Sequence, residues 1–85
     1  MPAWVSSPVH EAVIVALVEA RKAAGLTQRD VAARIGKLPS FVGKVEAIER
    51  NLSVTEFLAW AHAVGVSGSD ILDSVGANHA GKIEI

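Results

Sequence analysis

Eighty-five residues, half of them apolar and none of them cysteine, suit one domain with a single core of just sufficient size. Without thiols, disulfides, thiolate zinc sites and a cysteine nucleophile are all excluded. The formal net charge is only −1, but it is unevenly spread along the chain. The longest apolar run, residues 12–18, is too short to span a bilayer, and no lysine or arginine precedes it as in a secretory signal.

Residues 1–7 form a short extension containing Trp4. Ser7 and Pro8 then supply a cap and a first position for a helix reaching residue 24, with Gly25 as its stop. Val13, Leu17, Ala20 and Ala24 make one stripe of it. Ile14, Val15 and Val18 fall outside that stripe, so either the Trp4 segment folds over them or a second chain covers them.

The stretch from 27 to 46 contains two short amphipathic patterns separated by a glycine. In the first, Val31, Ala32 and Ile35 gather on one side of a helix. Thr27 and Asp30 form an acidic capping box at its start, and Gly36 sits where a left-handed residue would end it. The second places Val42 and Val45 on one face, with Pro39 as a first helical residue. Helices this short cannot stand alone, because nucleation is costly and each buries little surface. They must lean on each other, as in a helix-turn-helix.

Further along, Ser53 and Glu56 form a second capping box, and Phe57, Trp60, Ala61 and Val64 repeat at helical spacing up to Gly65. Ser67 and Asp70 cap a fifth helix carrying Ile71, Leu72 and Val75, which Gly76 is expected to close. The tail alternates from Lys82 to Ile85 like a strand. A lone strand needs a partner, so this segment either pairs with the same tail of a second subunit or frays. The expected organisation is an extension over 1–7, a helical domain over 8–76 and a tail over 77–85.

Gln28, Ala32, Ile35, Gly36, Val42, Val45 and Glu46 resemble, position by position, the helix-turn-helix of the lambda-repressor and Cro-like (XRE-type) DNA-binding family. The wider run over 17–72 is also similar to that family: L-x-x-x-R, G-L-T-Q, E-R-N-L-S-V-T-E-F-L and A-V-G-V. The resemblance implies an all-α, five-helix, lambda-repressor-like domain whose second and third helices make the motif. It also implies that Arg21 pairs with Glu46 in a structural role. One departure stands out, since Ile48 occupies a place where the family usually has glycine. A β-branched residue tolerates positive φ poorly, so either the third helix runs on for part of a turn or the loop takes another route.

In the resembled family the second helix of the motif enters the major groove. Carried over, the base-facing positions are Pro39, Ser40, Gly43 and Lys44. Pro39 and Gly43 offer no side-chain donor, so reading falls on Ser40 and on Lys44, which suits guanine O6 and N7. Phe41 either contacts a thymine methyl or packs beneath the helix. Phosphate contacts are expected from the Gln28 backbone amide and from Arg29, Lys37, Arg50 and Asn51. The charge distribution agrees with this placement. Residues 1–20 carry −2 and residues 51–85 carry −3, whereas residues 21–50 hold seven basic and three acidic side chains, +4.

Catalysis has no footing. His10, His62 and His79 lie far apart without metal-ligand spacing, and Asp70 and Asp73 suit a helix N-terminus. No cofactor or metal is expected. The reading is a dimeric transcriptional repressor on double-stranded DNA. Its dimer interface is expected on the fifth helix, including Leu72 and Val75, or on the tail with Ile83 and Ile85, with the first helix as the lesser candidate. It would be a cytoplasmic, nucleoid-associated protein of a prokaryote or phage. The alternatives are an antitoxin that binds its operator and a toxin, and a protein-interaction module on the same fold.

Overall fold

The computed structural model describes residues 7–81 and 83; Trp4 with the rest of residues 1–6, and Lys82, Glu84 and Ile85 of the tail, lie outside the described residues. Five helices follow one another: α1 (Pro8–Ala23), α2 (Gln28–Ile35), α3 (Pro39–Glu46), α4 (Val54–Ala63) and α5 (Gly68–Asn78). The fold is all-α and lambda-repressor-like, with no strand among the described residues.

Local chemistry sets most of the helix starts. Ser7, Thr27, Ser53 and Ser67 each accept a hydrogen bond from the backbone N–H three residues on. At α2 the exchange is reciprocal: Thr27 Oγ1 accepts from Asp30 N at 3.1 Å, and Asp30 Oδ2 accepts from Thr27 N at 2.8 Å. Ser53 and Glu56 do the same at α4, at 3.0 and 2.9 Å. Each such cap stabilises its helix by about 1 kcal/mol. Gly36 ends α2 with φ +69°, the left-handed conformation that turns the chain into the start of α3.

The core is shared by four helices: Ile14 and Leu17 of α1, Val31 and Ala32 of α2, Val42 and Val45 of α3, and Phe57, Trp60 and Ala61 of α4, with Val64 just beyond. Trp60 is fully buried, and its indole N–H meets no acceptor among the described residues. The unmade bond costs about 1–3 kcal/mol. Burying a ring of about 150–250 Å² at about 25 cal/mol per Å² outweighs that.

Helix α1 departs from the expected stripe. Ile14 is core rather than surplus, and Val13, Val18 and Ala20 pack partly against it, whereas Ala24 is exposed. The inward row is Ile14, Leu17, Val18 and Arg21, at i, i+3, i+4 and i+7. Because α1 touches both α3 and α5, it buries a wider arc than a one-sided surface helix needs. Of the three surplus residues only Val15 remains largely at the surface, 46% exposed.

Two helix ends also differ from expectation. Gly76 does not close α5, which continues through it to Asn78 and ends with His79 N donating to Val75 O at 3.1 Å. A glycine stops a helix only where the backbone turns left-handed, and Gly76 keeps a negative φ. The reverse holds after α3. The helix ends at Glu46, and Ile48 itself takes φ +60°. Ile48 N donates to Val45 O at 3.0 Å and Glu49 N to Lys44 O at 2.9 Å. Gly25 and Gly65 close α1 and α4 by the same paired bonds, to Lys22 and His62, with Leu26 and Val66 donating to Arg21 and Ala61. The left-handed strain at Ile48, about 1–2 kcal/mol, is offset because its side chain packs against the core. Ile48→Gly is therefore expected to be more stable than Ile48→Ala by about 1 kcal/mol, since alanine keeps the strain and loses the packing. Urea denaturation of the two variants measures the difference, and an alanine variant more stable than the glycine one would contradict the assigned backbone.

Candidate nucleic-acid interface

The most enclosed polar junction between the helix pair α2–α3 and α1 is built on Arg21 and Glu46. Arg21 Nε donates to Glu46 Oε2 at 2.7 Å and Nη2 donates to Oε1 at 2.9 Å, while Nη1 donates to Leu26 O at 3.0 Å. Gln28 Nε2 also reaches Glu46 Oε1, at 3.0 Å. The two charged side chains are only 11% and 8% exposed. A parallel two-bond fork of this kind is directional as well as strong. It joins the last turn of α1, the following loop, the first turn of α2 and the last residue of α3.

With that end fixed, α3 turns Val42 and Val45 into the core and leaves Pro39, Ser40 and Lys44 exposed on the opposite side, with Gly43 half-buried beside them. A Cβ at Gly43 would meet Gln28 Oε1 at 3.6 Å, an ordinary contact, so the fold itself does not demand glycine there. The near end of α3 is open. Its N-cap is Leu38, 73% exposed and making no side-chain cap bond, and the first turn carries no acidic residue. The first turn of α3 therefore brings no carboxylate of its own to the positive end of the helix dipole.

Phe41 is half-buried and packs against the core. Lys37 Nζ lies 5.3 Å from the centre of its ring and Arg50 Cζ 4.4 Å. Arg50 also donates to Glu56, Nη1 to Oε1 at 3.2 Å and Nη2 to Oε2 at 3.3 Å, and Nη1 donates to Asn51 O at 2.6 Å. Lys37 Nζ is 3.7 Å from the second Glu56 oxygen. Asn51 Oδ1 accepts from Leu52 N at 2.9 Å, shaping the turn before α4. Arg29 is exposed on α2. The backbone N–H of Ser53, aided by Arg50, holds the Glu56 carboxyl below its ordinary pKa of 4.5, so it is ionised at neutral pH.

Two side chains escaped the reading from sequence. Glu56 is a helix cap in the local pattern, yet it also gathers Lys37 and Arg50 from two other segments. Arg34 Nη1 donates to Ala63 O at 2.8 Å, tying α2 to the end of α4. The Lys37–Glu56 and Arg34–Ala63 contacts leave no local signature, because each joins elements distant in sequence. At the expected dimer face, Val75 is buried within the protomer, whereas Leu72 is 49% and Ile83 57% exposed. Among the described residues no three histidine, aspartate or glutamate side chains come together as a metal site. Nor is any described helix long and apolar enough to cross a membrane.

Five helices with an exposed α3 braced through Glu46 define a helix-turn-helix domain. A helix-turn-helix family profile matches residues 17–71, and the chain belongs to the XRE-type helix-turn-helix family, a DNA-binding regulator type. Among solved structures, an XRE-family-like protein from Pseudomonas syringae pv. tomato str. DC3000 shares 40% identity and a TM-score of 0.80, over 82% of this chain and 85% of that one. The clp gene regulator ClgR from C. glutamicum is similar at 26% identity and a TM-score of 0.72, over 87% of this chain and 96% of that one. No curated protein sequence matches significantly.

The Arg21–Glu46 junction generates a direct test. Replacing either partner alone with alanine is expected to destabilise the domain by about 3–5 kcal/mol, because the remaining charge is left nearly buried. Replacing both is expected to cost clearly less than the two single losses together, as read from denaturation of the double-mutant cycle. Additive losses below 1 kcal/mol would deny the pair its structural role.

Proposed function

We propose that the chain is a sequence-specific transcriptional regulator acting as a dimeric repressor, which reads an inverted-repeat operator by placing α3 in the major groove. The observation that carries this reading is the outward row Pro39, Ser40, Gly43 and Lys44 on a helix whose far end is locked through Glu46. Lys44 supplies donors for guanine O6 and N7, and Ser40 donates or accepts at a neighbouring base. Arg29, Lys37, Arg50, Asn51 and the Gln28 backbone amide flank that row and suit phosphates. Phe41 serves Lys37 and Arg50 from beneath, with both cations within reach of its ring. The relative described as a clp gene regulator supports a regulatory role.

Dimerisation follows from the shortage of readers. One subunit brings two base-reading side chains, too few for a selective site, and a two-fold axis doubles them over half-sites about 34–36 Å apart. Exposed Val15 of α1 and Leu72 of α5 belong to helices that pack together, and they supply apolar surface for the second copy. Ile83, which is exposed, is a further candidate for that surface; Ile85 lies outside the described residues.

Lys44→Ala is expected to weaken operator binding by about 1–3 kcal/mol and to relax preference at one base position per half-site. Lys37→Ala is expected to weaken all sequences alike and to flatten the salt dependence. Titrations on duplexes selected from a randomised library, and on their single-base variants, separate the two. Unchanged preferences in Lys44→Ala would remove it from the reading set. Sedimentation of the free and DNA-bound protein is expected to give two subunits per site and, for Leu72→Glu, weakened self-association with the helical fold intact. One subunit per site would overturn the dimeric reading.

A further inference from the structure

The domain contains two kinds of ion pair, and the contrast between them assigns a role to Glu56. Arg21 and Glu46 meet at 2.7 Å with side chains 11% and 8% exposed, the geometry of a permanent junction. Glu56 meets Arg50 at 3.2 Å and Lys37 at 3.7 Å, and both cations are 43% exposed while the carboxylate is 17% exposed. These distances exceed the 2.7–2.9 Å range of a strong charge-assisted hydrogen bond, and the outer sides of both cations face solvent. Contacts this long and this wet exchange readily for another anion. The Phe41 ring, 4.4 Å from Arg50 and 5.3 Å from Lys37, supports both cations independently of the carboxylate. Releasing them from Glu56 therefore does not release them from their place beside α3.

We propose that Glu56 is an internal competitor for DNA phosphate: its carboxylate neutralises one of the two charges on Lys37 and Arg50, and yields them to the backbone only when α3 docks. This rests on the DNA-reading function above and identifies the residue that limits its sequence-independent part. Electrostatic attraction to phosphate supplies essentially all non-specific binding. A fixed negative charge between two phosphate-binding cations holds that component down, leaving the base contacts of Ser40 and Lys44 and the second subunit to supply the rest. Glu56 performs this task in addition to capping α4, where its Oε1 accepts from Ser53 N at 2.9 Å.

The two tasks separate in Glu56→Gln, which keeps an oxygen acceptor for the cap and removes the charge. Thermal denaturation first establishes that the variant is folded; Glu56→Asp, which keeps the charge on a shorter stem, serves as the charge-retaining comparison. Binding to a short duplex of mixed sequence, and to a library-selected operator duplex, is then titrated over a series of salt concentrations. Glu56→Gln is expected to bind both duplexes about 3- to 10-fold more tightly at low salt. Its slope of log K against log salt is expected to steepen by about 0.9, with base preferences unchanged. The gain is expected to disappear in a Lys37→Ala, Arg50→Ala background. Weaker binding by a folded Glu56→Gln would show that Glu56 positions the cations rather than competing for them. Unchanged affinity and slope would equally overturn the proposal while leaving the DNA-reading function standing. If wild-type protein bound neither duplex, that function itself would fall, and this inference with it.

Discussion

The orientation of the exposed helix depends on the Arg21–Glu46 junction. Burial of Val42 and Val45 in the shared core turns that face of α3 inward, but apolar attraction is non-directional and sets the helix's roll only coarsely. The guanidinium fork does have one. By engaging both oxygens of Glu46 and the carbonyl of Leu26, Arg21 fixes the roll of α3 relative to α1. Gln28 extends the restraint to α2 through the same carboxylate. Breaking the fork would leave a nearly buried charge without its partner, so the arrangement resists small rotations that a purely oily contact would allow.

Charge is thus used in two ways within a short length of chain. The enclosed pair at the far end of α3 is insulated from salt by burial, whereas the Lys37, Arg50 and Glu56 group near the α2–α3 turn lies in reach of the ionic atmosphere. Phe41 belongs to both environments, since it packs against the core and its ring also lies close to the two cations. The positive middle of the chain is therefore not a uniform surface. It has a rigid anchor, an open helix start at Leu38 and Pro39, and a restrained cationic flank.

What could be seen in the sequence is what short-range chemistry decides. Thr27 with Asp30, Ser53 with Glu56, Ser67 and Gly36 mark helix ends through contacts three or four residues away, and the structure has each helix end there. The stripe Phe57, Trp60, Ala61 and Val64 is equally local and is buried throughout. The Arg21–Glu46 contact spans 25 residues, and resemblance to a family rather than spacing suggested it. What stayed hidden depends on neighbours that a linear pattern does not name. The width of the buried arc on α1 is set by its contact with both α3 and α5, and Gly76 could be placed inside α5 only once the backbone around it was known. Glu56 satisfied a local rule so well that its wider contacts left no separate trace. The proposed dimer face is the least legible part, because an exposed valine or leucine looks the same whether or not a second copy covers it.

The backbone at Ile48 bears on how far a domain of this kind can drift in sequence. The turn after α3 is enforced by two backbone hydrogen bonds, from Ile48 and Glu49 to Val45 and Lys44, and those bonds are blind to the side chain. Glycine is then one solution among several. Any residue whose side chain finds the same apolar floor can hold the bend, because local discomfort and tertiary contact are felt by the same few atoms. Ancestry could therefore exchange a flexible residue for a bulky one here and keep the geometry, but the exchange would make this corner depend on the core around it. A later change in that core would be felt in the turn, and a reversal to glycine would make the two independent again.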